Sequence, residues 1–145
     1  MLRERGGRIV SILGGMGRWV AVGLGCVTAL GFEVLFGSLL SHVVRVDQWH
    51  MALYAARFAA LLVGGYVTGH LVGRWHALYG ALAAVAYIFV TVTFGALREV
   101  AVARQLGPGA LAPIDFAQLA LNDVLAMTGA SCGGWLAARL NARLG

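Results

Sequence analysis

The chain has 145 residues, 60% of them apolar and 12% charged, with a formal net charge of +5 and a mean hydropathy of +0.81. Soluble domains carry about 25% charged and about 45–50% apolar residues, so this composition excludes a disordered tail, a disulfide scaffold and an ordinary cytosolic enzyme. The length suits one domain.

Apart from histidine, every basic residue is an arginine, 11 in all. The arginines sit between long apolar runs, not along one face beside aromatic readers. That pattern points to a lipid bilayer and away from nucleic acid. Cys26 and Cys132 fall in different apolar runs and are expected to be free, buried thiols.

Residues 1–18 hold Arg3, Arg5, Arg8 and Arg18 and the pairs Gly6-Gly7 and Gly14-Gly15. They read as a basic juxtamembrane arm ahead of a transmembrane domain over 19–145. Its arginines act as a topology signal and can hold anionic lipid. A spanning helix needs about 20 mostly apolar residues. Four stretches meet that need, at about 19–44, 49–71, 76–97 and 116–136. The first is longer than the apolar core of a signal peptide, which is about 7–15 residues.

The connections are short except one. His42–Gln48 is a tight turn, with Asp47 as N-cap of the second helix. Gly73–Trp75 is a still shorter turn. Residues 98–115 form a loop broken by Gly107-Pro108-Gly109 and Pro113. Asp115 followed by Gln118 reads as an N-cap and its capping-box partner for the fourth helix.

Orientation follows from the arginines flanking the spans. With both termini on one side, that side carries Arg3, Arg5, Arg8, Arg18, Arg74, Arg139 and Arg143, against Arg45, Arg98 and Arg104 on the other. The bias predicts that both termini are cytoplasmic. Trp19, Trp75 and Trp135 then fall at inner helix ends and Trp49 at an outer end, where amphipathic rings belong.

Lipid gives helices no hydrophobic reason to meet, so small residues that allow close approach mark the packing faces. The second helix carries Gly65, Gly69 and Gly73 at i, i+4, i+8. The first carries Gly25, Ala29, Gly37 and Ser41, the third Gly80, Ala84, Tyr87 and Thr91, and the fourth Ala126, Ala130, Gly134 and Ala138. These faces predict an all-α, four-helix transmembrane bundle.

Three ionisable residues lie within the spans: Glu33, Arg57 and Asp123. Each costs about 2.5–3.5 kcal/mol near a helix centre on the insertion scale, so each is expected to face protein. At about 1.5 Å per residue, Glu33 lies roughly 16 Å from the outer end of its helix, and Arg57 and Asp123 roughly 12 Å from theirs. An arginine side chain bridges that difference. The expected arrangement is an Arg57-centred cluster joining helices 1, 2 and 4, with Asn122 as a hydrogen-bonding neighbour. The cluster reads either as a polar clamp that fixes helix pairing or as a proton or cation site.

His42 and His50 flank one turn, and His70 and His76 the next. No Cys-x-x-Cys, His-Glu-x-x-His, phosphate loop or nucleophile elbow accompanies them, so neither metal, cofactor nor catalysis is expected.

The stretch Val63-Gly64-Gly65-Tyr66-Val67-Thr68-Gly69, then Arg74-Trp75-His76-Ala77-Leu78-Tyr79-Gly80-Ala81-Leu82, and the later Thr128-Gly129-Ala130 and Gly133-Gly134 resemble the YrzE-like family of short bacterial four-span membrane proteins. The resemblance covers the layout of about residues 20–140. It implies the topology and no activity, and this chain departs in its N-terminal arm and its longer outer loop. Glu33-Val34 followed by Gly37 also resembles, loosely, the embedded glutamate site of small multidrug resistance transporters. There the glycine is displaced by one position, the aromatic pattern of helices 2 and 3 is missing, and Arg57 and Asp123 are foreign.

The sequence thus predicts a non-catalytic multi-pass protein of a bacterial inner membrane. It would contact the lipid bilayer and serve as a subunit or helix-packing partner of other membrane proteins, or of itself. The alternative is a small proton-coupled transporter or channel using Glu33 and Asp123.

Overall fold

The computed structural model describes residues 2–43, 49–107 and 115–144, with side chains over 17–42, 51–107 and 115–143. The described residues form four helices: α1 (Leu2–Val43), α2 (Trp49–Leu71), α3 (His76–Leu106) and α4 (Phe116–Leu144). The expected cap Asp47 and the breakers Pro108, Gly109 and Pro113 lie outside the described residues. Both prolines of the chain fall between α3 and α4, so no helix interior loses a backbone donor.

Three of the helices contain segments long and apolar enough to cross a membrane: Gly17–His42, Met51–Leu71 and His76–Leu106. α4 has 29 residues but is less apolar than that group.

Two boundaries differ from the sequence expectation. α1 starts at Leu2, so residues 2–18 are helical and continuous with the first span, which begins at Gly17. A helical glycine costs only about 1 kcal/mol against alanine, and Leu, Arg, Ile and Met around the glycine pairs keep the helix running. α3 continues nine residues past Leu97, through Arg98 and Glu99 to Leu106. Charges can mark where a helix leaves lipid, but only a breaker ends it. Here that breaker is Gly107, at φ 86°.

α2 and α3 each touch all three other helices, while α1 and α4 do not touch one another among the described residues. The cross-section is a lozenge with α2 and α3 on its short diagonal. Its interior is built from small side chains: Ala21, Ala29, Ala60, Ala84, Ala126, Ala130 and Ala137 are almost fully buried. The large apolar side chains face out, with Val34, Met51, Phe89 and Phe116 each more than 70% exposed. Water would force the opposite distribution, whereas lipid accepts it.

Adjacent glycines on α2 serve two neighbours at once. Gly64 lies against Gly25 and Ala29 of α1, and Gly65 lies against the Ala130 backbone of α4. Gly69 packs on Gly134, where an added Cβ would stand 2.8 Å from the Gly134 Cα. Gly134 in turn lies against His76 and Ala77 of α3, and Gly80 against Ala130. Gly73 does not extend this stripe. α2 stops at Leu71, and a Cβ at Gly73 would meet nothing within 4 Å.

The stop is local chemistry. Trp75 takes a left-handed conformation at φ 62°, and His76 Nδ1 sits 2.5 Å from the Gly69 carbonyl oxygen near the α2 terminus. Thr68, fully buried, places its hydroxyl 3.0 Å from the Gly64 carbonyl and 3.3 Å from the Ala21 carbonyl of α1. A side chain that would otherwise be an unpaired polar group thereby ties α1 to α2. At the start of α4, Asp115 Oδ1 accepts from the backbone N–H groups of Ala117 and Gln118 at 3.0 and 3.1 Å, so Asp115 is the N-cap.

Candidate functional site

The small-residue contacts set the helix register, and that register brings three polar side chains to one level. Glu33 comes from α1, Arg57 from α2 and Tyr87 from α3. Arg57 Nε donates to Glu33 Oε1 at 2.9 Å, and Nη2 reaches the same oxygen at 2.8 Å. The Tyr87 phenol donates to Glu33 Oε2. Both carboxylate oxygens are therefore engaged.

The phenol rests in the core, with Tyr87 3% exposed, while the Arg57 and Glu33 side chains are 32% and 26% exposed. An unpaired charge at bilayer depth is expensive, and pairing in place removes most of that cost. The Coulomb attraction is also stronger here than in water.

This constellation differs from the expected one in its third helix. Arg57 pairs with Glu33 as the sequence suggests, but Asp123 is not part of the pair. Asp123 is half-buried and forms no ion pair among the described residues. The reason is angular. On α4 it is position 122, not 123, that lines the cavity beside Arg57, because successive residues of a helix point about 100° apart. α3 supplies the third partner instead. Tyr87 was legible as a core-face residue but not as the donor to Glu33.

Asn122, the neighbour of Asp123, does approach the pair. A cavity of about 250 Å³ lies in the groove that separates α1 from α4 over α2. Glu33 and Gly37 line it from α1, Leu53, Tyr54, Ala56 and Arg57 from α2, and Gln118 and Asn122 from α4. Asn122 Oδ1 itself is buried, with no hydrogen-bond partner among the described residues. Gly37 is thus no packing glycine: a Cβ on it would meet nothing within 4 Å. Gly65, Gly69 and Gly134 do pack helices closely, as described above, away from this cavity.

The remaining candidates are dispersed. His42 Nδ1 lies 2.8 Å from the Ser38 carbonyl of its own helix, and His70 stacks on Tyr66 with ring centroids 6.0 Å apart. Cys26 is buried but Cys132 is exposed, because position 132 lies on the outward side of α4, next to the packed Gly133. Both thiols are free. Among the described residues no group of three or more His, Cys, Asp or Glu side chains could hold a metal ion.

Chemically, the site joins three helices through a carboxylate whose oxygens are both occupied, beside a pocket of mixed polarity. No known protein family, curated protein or solved structure matches the chain.

Proposed function

We propose that this chain is a non-catalytic, four-span protein of a bacterial inner membrane with both termini in the cytoplasm, and that it works as a subunit or helix-packing partner of a larger membrane assembly. The observation that carries the reading is α4. It is the least apolar of the four helices and carries the half-buried Asp123, which forms no ion pair among the described residues, with exposed Thr128 and Cys132 five and nine residues further on. The Thr128 hydroxyl bonds the Val124 carbonyl of its own helix and suits lipid, but Asp123 does not, and a second polypeptide offering it a cation or hydrogen-bond donor is the better neighbour.

The arginine bias supports the orientation, as does Arg139, whose guanidinium carbon lies 4.2 Å from the Trp135 ring centre near the end of α4. Glu33 has partners on both oxygens and fits a clamp, whereas Asp123, without an ion pair among the described residues, is the carboxylate that a proton-coupled carrier would use.

Photo-crosslinking in native membranes tests the proposal. A photoreactive residue at Thr128 on α4 should yield a discrete protein adduct, whereas one at Phe89, on the lipid-exposed side of α3, should yield lipid adducts alone. Lipid adducts alone from both positions would reject the subunit reading.

A further inference from the structure

The groove between α1 and α4 is a built pocket, and its chemistry restricts what it can hold. Its floor is the Glu33–Arg57 pair, which is neutral as a unit. An anion would have to compete with Glu33 for Arg57, and a cation would have to compete with Arg57 for Glu33. A net charge brought to this depth also meets the bilayer penalty. The lining offers hydrogen bonds in both directions: the Arg57 guanidinium donates, and the Gln118 and Asn122 amides both donate and accept. Gln118, two residues from the start of α4, sits nearer the helix ends than Asn122 and marks a polar route inward. Leu53 and the open space over Gly37 form an apolar side. At about 30 Å³ for each water in the liquid, the volume equals roughly eight waters, below the usual range for drug-sized ligands.

We propose that this cavity binds a small uncharged molecule carrying both a hydrogen-bond donor and an acceptor, of the amide or hydroxyl class, which enters from the end of the bundle where α4 begins. The molecule accepts from the Arg57 guanidinium and exchanges hydrogen bonds with the Asn122 and Gln118 amides, and the ion pair beneath it stays intact. The site is independent of any partner on the outward side of α4.

Three probes of similar size separate the charge classes: acetamide, acetate and methylammonium. With the full chain in lipid nanodiscs, ligand-observed NMR should show saturable acetamide binding, about tenfold tighter than either ion. Gly37→Leu should abolish it by filling the pocket, and an unchanged unfolding midpoint should show that the bundle is intact. Asn122→Leu should weaken it severalfold without filling the pocket. Equal binding of the three probes, no acetamide binding, or acetamide binding untouched by both variants would overturn the proposal.

Discussion

Replacing Arg57 by methionine removes the guanidinium while keeping an unbranched chain of similar length. Glu33 then loses both N–H contacts on Oε1 and retains only the Tyr87 phenol on Oε2. Breaking a fully buried pair from one side costs about 3–5 kcal/mol. Glu33 retains one donor, the Tyr87 phenol, so the expected loss sits at the low end of that range, about 3 kcal/mol. Glu33→Leu combined with Arg57→Met leaves no orphaned charge, and a well-packed apolar replacement should fall within about 1 kcal/mol of the native chain. The double variant should therefore be more stable than the single one. Tyr87→Phe keeps the ring in the core and removes one interhelical hydrogen bond, a loss of about 0.6–1.7 kcal/mol. Titrating protein in mild detergent with SDS, followed by circular dichroism, gives all the terms of a double-mutant cycle. Equal losses in Arg57→Met and the double variant would refute the reasoning, because removing Glu33 would then rescue nothing.

Two further substitutions test the packing and the helix start. Gly65→Ala places a methyl 2.6 Å from the Ala130 Cα and over its carbonyl, so α2 and α4 must separate. The same assay should show a net loss of about 1–2 kcal/mol after the gain in helix propensity, whereas Gly73→Ala, facing open space, should change stability by less than about 0.5 kcal/mol. Asp115→Ala removes the acceptor for two backbone N–H groups at the start of α4 and should cost about 1 kcal/mol, with faster amide exchange confined to residues 116–119.

Much of this arrangement is visible in the residues, and the limits have identifiable causes. Gly65, Gly69 and Gly134 stand out because helical spacing fixes a face within one helix. That arithmetic carried Gly73 along with them, because spacing alone does not reveal that Trp75 turns left-handed and that the helix stops at Leu71. Glu33 and Arg57 are legible as partners because unpaired charge in lipid is so costly. Asp123 carries the same cost, but the rotation of α4 about its axis is a tertiary property, and it turns Asn122, not Asp123, toward the pair. Tyr87 lies on the small-residue face of α3 and reads as core. The signal that it does more is chemical: a buried phenol needs a hydrogen-bond partner, and Glu33 has a spare oxygen. Gly37 shows the converse, a glycine that continues a packing face by spacing but opens a cavity in the folded chain.

The central claim is that the polypeptide crosses the bilayer at all four helices, α4 included. Single cysteines replacing Arg104 and Arg143, each in a Cys26→Ala, Cys132→Ser background, report directly on the two ends of that last crossing. Spheroplasts treated with a membrane-impermeant maleimide should label position 104 while intact and position 143 only after lysis. Labelling of both positions from the same side would contradict the account.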